Sequence, residues 1–315
     1  MTTSTPTAPS TNIRTAITYI SWPLILAICI GLTHIAFQSG WPLLGFNLIY
    51  FALIVCLFVL ERVMPHEKKW QESDGQLFAD LAHTLMNKGV VQALIGFAAV
   101  LGFTKLLTPM AEPGHGIWPR DWPLAAQVLM GVVVAEFGLY WSHRLSHEFH
   151  PFWRFHAVHH SVTKLWIVNT GRFHYVNSLL SIIAGTGMLV LFGAPMEVIL
   201  WLSAITAYIG LLTHCNIEMN FAFPMSHIFN TPELHRWHHS KKLREGNKNY
   251  GENLVIWDII FRSHFIDPSR RPPVNIGITS VMPEKFIDQL TWPYKDLSLR
   301  FKPYPKKSET PPSSS

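Results

Sequence analysis

The chain has 315 residues, 49% hydrophobic and 14% charged, with a net charge of +5 and a mean hydropathy of +0.19. Soluble domains carry about 25% charged residues, so this composition excludes an ordinary soluble globule and points to a membrane protein. The positive excess reads as loops on one face of a bilayer; no basic stretch is interleaved with aromatic residues as a nucleic-acid groove requires.

Residues 1–14 are polar and read as a disordered tail, and no cleavable signal peptide is evident. Two apolar runs, Ile20–Phe37 and Pro42–Leu60, are separated only by Gln38–Trp41 and predict a transmembrane hairpin over 15–65. Further runs lie at Val90–Leu107, Leu124–Trp141, Val176–Phe192 and Met196–Leu212. Residues 66–300 read as one oxygenase-like domain and 301–315 as a disordered tail. The expected fold is therefore all-α, a polytopic membrane protein with about four to six transmembrane helices and a cytosolic, histidine-rich helical cap. Six single crossings are the simplest arrangement, with a half-embedded hairpin as an alternative for the last two runs. Basic stretches after the second, fourth and sixth runs place the histidine-rich segments on the cytoplasmic side, by the positive-inside rule. The three cysteines, Cys29, Cys56 and Cys215, form no CxxC and suggest neither a disulfide framework nor a thiolate metal site.

Twelve of the 17 histidines fall between His143 and His239. They form three clusters: His143-x₃-His147; His156-x₂-His159-His160; and His235-x₂-His238-His239. Helical residues three or four apart share a face, so each cluster offers several imidazoles in one direction. The hairpin of the last two runs returns the third cluster to the membrane face of the first two. His174 and His214 sit at the edges of that hairpin. His34, His66, His115, His150, His227 and His264 read as surface or structural residues. Eight clustered imidazoles exceed what one tetrahedral zinc takes and suit two metals of higher coordination number, while ligand type alone leaves iron, zinc, copper or nickel open. Glu-x-x-His occurs only as Glu112–His115, broken by Pro113 and Gly114, and His147-Glu148-Phe149-His150-Pro151 fails the HExxH pattern of zinc proteases. Glu136 is an intramembrane acid, a functional candidate by default.

These boxes, followed by Asn247-Lys248-Asn249-Tyr250-Gly251 and Trp257-Asp258-Ile259-Ile260-Phe261, resemble the fatty acid hydroxylase/sterol desaturase superfamily of membrane di-iron oxygenases. The likeness covers roughly Ser142–Phe265, with weaker echoes in Glu61–Pro65 and Asp80–His83. It implies two iron ions, O₂ as co-substrate, a lipid substrate and an external electron donor, cytochrome b5-like, ferredoxin or reductase. By position it makes His143, His147, His156, His159, His160, His214, His235, His238 and His239 the metal ligands. Where some members carry a second histidine after His214, this chain has Glu218, leaving a carboxylate or water for that position. Arg172, His174, Asn249 and Asp258 are expected behind the ligands or facing the substrate, with Asp258 accepting a ligand's distal N–H. Arg144, Arg154 and Arg236 are candidates for a lipid headgroup or donor anion, or simple anchors at the membrane face. The implied activity is hydroxylation of a lipid C–H bond; the alternative is desaturation on the same site. Metal transport is disfavoured because the histidines lie at helix ends, and a zinc hydrolase because ligands are in surplus.

Overall fold

The computed structural model describes residues 11–100, 116–221 and 224–295. Residues 1–10 of the tail expected at 1–14, the tail expected at 301–315, Glu112–His115 and the end of the third apolar run lie outside these residues. Helix α1 (Thr11–Gln38) starts within the stretch read as a tail, and α2 (Pro42–Val63) follows after a three-residue turn from Ser39 to Trp41. The outward faces of α1 and α2 leave Leu24, Ile28, Leu32, Ile35, Leu48 and Phe51 exposed. Apolar area of that extent is stable against acyl chains, not water.

Helix α3 (Leu77–Val100) begins at Leu77 rather than Val90, because its first turns are polar and buried against the cap through Asp80, His83 and Asn87. Helix α4 (Leu124–Glu148) outruns the apolar segment by two turns and carries the first histidine pair beyond it. Phe149 is extended, and α5 (His150–His160) starts at once with Pro151 in its first turn, where the missing N–H costs nothing. The chain therefore folds back over the end of α4. Helices α6 (Tyr175–Phe192) and α7 (Met196–His214) form the second hairpin. Five described helices, α1, α2, α4, α6 and α7, are long and apolar enough to cross a membrane; α3 as described is not one of them. Among the described residues there are only isolated β-bridges.

Packing is tightest between α4 and α6. A Cβ on Gly138 would strike the Ala184 carbonyl, and one on Gly185 would strike Leu139; small residues let the two backbones approach, as in other membrane helix pairs. The N-terminal hairpin is fastened to the rest by polar contacts. Thr33 meets the Tyr208 hydroxyl at 2.6 Å. Glu61 accepts from the Ile167 and Asn216 amides at 2.9 and 2.8 Å. The echo in Glu61–Pro65 is thus a fastening between hairpin and cap.

After α7 come short helices α8 (Met225–Ile228), α9 (Pro232–His238), α10 (Leu243–Gly246), α11 (Ile256–Ile260) and α12 (Phe286–Thr291). They close over the ends of α4 and α7 and form the cap.

Candidate functional site

All nine expected histidines converge and are buried, none more than 7% exposed. They sort into two groups whose donor atoms lie within 4.8 Å of one another: His143, His147, His156, His160 and His238; and His159, His214, His235 and His239. The groups cut across the sequence clusters. His156 and His160, four apart, stay together, while His159 turns to the other group. Likewise His235 and His239 share one group and His238 joins the other. On a helix, residues i and i+4 stack nearly one above the other, and an adjacent residue points about 100° away.

The ring nitrogens behind the site fix the tautomers. His143 Nδ1 donates to the Tyr250 carbonyl at 2.7 Å, His238 Nδ1 to the Lys248 carbonyl at 2.7 Å and His156 Nδ1 to Asn177 Oδ1 at 2.7 Å. His214 Nδ1 donates to the Gly210 carbonyl at 3.0 Å, and His159 and His147 reach the Arg172 carbonyl and Asn247 Oδ1, each at 3.3 Å. With the proton on Nδ1, each Nε2 is a bare lone pair turned inward. Yet His156 Nε2 lies 3.1 Å from both His143 Nε2 and His147 Nε2. His235 Nε2 lies 3.0 Å from His214 Nε2, and His239 Nε2 lies 3.2 Å from His159 Nε2. No proton is left to bridge the His143–His156 or His147–His156 pair, so these contacts are repulsive unless a cation sits among them. His238 Nε2, buried without a partner among the described residues, has the same need. The donor set thus fits a metal ion in each group.

Burial, then repulsion among neighbouring rings, holds His159, His160, His235 and His238 well below the ordinary imidazole range, so they are neutral donors at physiological pH.

Known proteins resemble this chain along much of its length. Residues 128–263 match the family model for fatty acid hydroxylases. The chain is 48% identical over 289 residues, 90% of its own length and 86% of the other, to the ornithine lipid hydroxylase OlsE of Rhizobium tropici. The chain belongs to the fatty acid hydroxylase family. It is 32% identical to human alkylglycerol monooxygenase over 144 residues, 46% of this chain and 31% of that protein. It is 29% identical to the fatty acid hydroxylase vlmA of a Lecanicillium species over 199 residues, 58% of this chain and 54% of that protein. No solved structure matches it. As a member of this family the chain is an oxidoreductase, a membrane lipid hydroxylase.

The residues expected around the ligands take different places in this hydroxylase fold. Asp258 touches none of the nine rings. It accepts from the Tyr250 and Gly251 amides at 2.8 and 2.7 Å and from the Ser263 hydroxyl at 2.6 Å. It therefore holds the turn whose carbonyl holds His143, one link further back than expected. Asn249, at φ 56°, spans from the Leu234 carbonyl at 3.1 Å to the Phe265 carbonyl at 2.8 Å and so ties the signature loop to α9; asparagine tolerates that left-handed backbone better than most residues. Asn247 receives His147, as above. Glu218 lies outside both histidine groups, bound to His66 at 3.1 Å and Arg271 at 2.8 Å. His66, read as a surface or structural residue, is that carboxylate's partner.

Arg172 is buried and bound to Asp80 at 2.7 Å, which explains the echo in Asp80–His83. His174 faces neither group: it caps α6 by accepting from the Val176 amide at 3.2 Å, and its Nε2 meets the Leu290 carbonyl at 3.1 Å. The residue between them, Phe173, stacks on His159 at 4.0 Å with 8° between planes. Glu136 is fully buried and accepts from the Glu252 and Asn253 amides and the Asn253 side chain. It anchors the signature loop to α4. Arg236 is also buried and donates to the Cys215 and Ile217 carbonyls, each at 3.0 Å, tying the end of α7 to α9. Arg144 binds Glu148 and the Tyr140 hydroxyl. Sequence reasoning missed Asn177 and Phe173; the carbonyls of Tyr250, Lys248 and Gly210 carry no residue-type signal at all.

Proposed function

We propose that this chain is a di-iron oxygenase that inserts one oxygen atom into a C–H bond of an amino-acid-headed membrane lipid of the ornithine lipid kind. The nine histidines would hold two iron ions, five donors on one and four on the other. Support comes from the facing, unprotonated Nε2 atoms of His143, His147 and His156, the last 3.1 Å from each of the others, and from 48% identity along 90% of the chain to an ornithine lipid hydroxylase. A metal of this class, when bound, supplies O₂ activation, which side-chain acids and bases cannot do for an unpolarised C–H bond.

The protein's own part is placement and exclusion. Carbonyls and asparagines keep the proton on Nδ1 of His143, His147, His156, His159, His214 and His238 and aim their Nε2 atoms inward. The buried cap excludes water from the donor set. Exposed apolar faces of the membrane helices admit the lipid laterally. We place the cap in the cytosol, following the basic segments after α2, at the end of α4 and after α7, and assign the electrons to a separate donor such as a cytochrome b5-like protein, ferredoxin or reductase.

Lipid mass spectrometry of a host that makes ornithine lipid, with and without the gene, tests this reading. The expected result is a lipid heavier by one oxygen atom, lost in the His235→Ala variant. Loss of two hydrogens would mean desaturation instead, and an unchanged lipid profile would refute both.

A further inference from the structure

The rings of the site are not held alike. His143, His159, His214 and His238 lean on main-chain carbonyls, whereas His147 and His156 lean on asparagine side chains. Of those two contacts the Asn177–His156 bond is the shorter, 2.7 Å against 3.3 Å. His156 is also the hub of the five-histidine group: its Nε2 lies 3.1 Å from His143, 3.1 Å from His147 and 3.0 Å from His160. A turn of this one ring changes its spacing to three other donors at once.

Asn177 is well placed to prevent that turn. It is 3% exposed and sits in the first turn of α6. That turn is capped by His174. Just before it, Asn87 binds the Gly171 and Phe173 carbonyls at 3.2 and 2.5 Å. The same stretch presents the Arg172 carbonyl to His159 of the other group. One segment of six residues thus backs one imidazole of each group, and both imidazoles belong to α5.

We propose that Asn177 is a positioning residue that fixes the tautomer and ring orientation of His156, and through it the five-histidine donor set. This rests on the reading that the group holds a metal ion. The amide oxygen requires the proton on His156 Nδ1. That leaves Nε2 bare for the metal. Leucine, of similar size, offers no acceptor. Aspartate offers the same acceptor with a charge and makes the ring a stronger donor.

The test uses the detergent-solubilised full chain loaded with Co(II), as wild type, Asn177→Leu and Asn177→Asp. Three quantities are read: Co(II) per chain, the rate of loss to a chelator, and the paramagnetically shifted ring N–H resonances that vanish in D₂O. Wild type should hold two ions. Asn177→Leu, with unchanged helicity, should lose one of the two about 10–100-fold faster, the usual span for such partners, and should lack one exchangeable resonance. Asn177→Asp should restore retention and return that resonance at a shifted position. Wild-type spectra and loss rates in Asn177→Leu would overturn the proposal. So would equal defects in the two variants, which would mean that packing rather than the acceptor matters. Were the leucine variant not to fold, an unshifted spectrum in Asn177→Asp would overturn it alone. A wild-type chain that takes up no Co(II) would overturn the ligand reading itself, and this proposal with it.

Discussion

His160 and His239 stack with ring centroids 4.3 Å apart and planes 25° from parallel, yet they belong to different histidine groups. The two rings are the wall between the groups. On α5 the neighbouring His159 and His160 stand at 90° to each other, so the helix runs between the two donor sets and contributes to both. The groups are therefore built together, but each keeps its own complement of nitrogens.

Independence of the complements sets the first expectation. Elemental analysis of purified wild-type chain should give close to two iron ions. His239→Ala leaves its group three donors and the other group all five, so the count should fall to about one. A count near zero in this variant would show that the groups cannot fill separately.

His238 Nε2 is a buried donor with no protein partner among the described residues. Replacing it by alanine removes a proposed metal donor and leaves the membrane helices untouched. Lipid oxidation should vanish while circular dichroism retains the wild-type helix signal. Retained activity would remove His238 from the donor set.

Asp258 acts through the Tyr250–Gly251 turn. Asp258→Ala frees the two amides and lets the carbonyl behind His143 move, so metal affinity should drop about 10–100-fold. Gly251→Ala should do the same by another route, because a Cβ there would strike the Leu254 carbonyl. Iron titration with a competing chelator measures both. An unchanged affinity in Asp258→Ala would break the chain of contacts from Asp258 to His143.

The Asp80–Arg172 pair is buried on both sides, 1% and 2% exposed. Removing one member of such a pair strands the other charge, at a cost of about 3–5 kcal/mol. Asp80→Ala should therefore lower the thermal midpoint in detergent well below that of wild type. The double variant Asp80→Ala with Arg172→Met should recover much of the loss, since no charge is then left unpaired. If the double variant is no better than the single one, the cost lies elsewhere.

The sequence by itself determined a good deal. Apolar length set the helices that can cross, and spacings of three and four set eight histidines on common helical faces. Those are local properties: a run of 20 apolar residues or an i, i+4 pair has its meaning within one helix. Even His214, a single histidine at the end of α7, was marked by its place after an apolar run. Helical spacing splits each triplet, but which of the resulting sets meet to make five and four was decided by the tertiary structure. His159 and His239 are 80 residues apart, and which of them meets which ring depends on how α5, α7 and α9 are placed against one another. The supports were hidden for a different reason. Glu218 and His174 have the residue types of ligands, but ion pairing with Arg271 and capping of α6 employ them elsewhere. Backbone carbonyls at Tyr250, Lys248 and Arg172 orient the imidazoles, and every residue has a carbonyl. Only the folded chain brings the right ones within reach of a ring nitrogen.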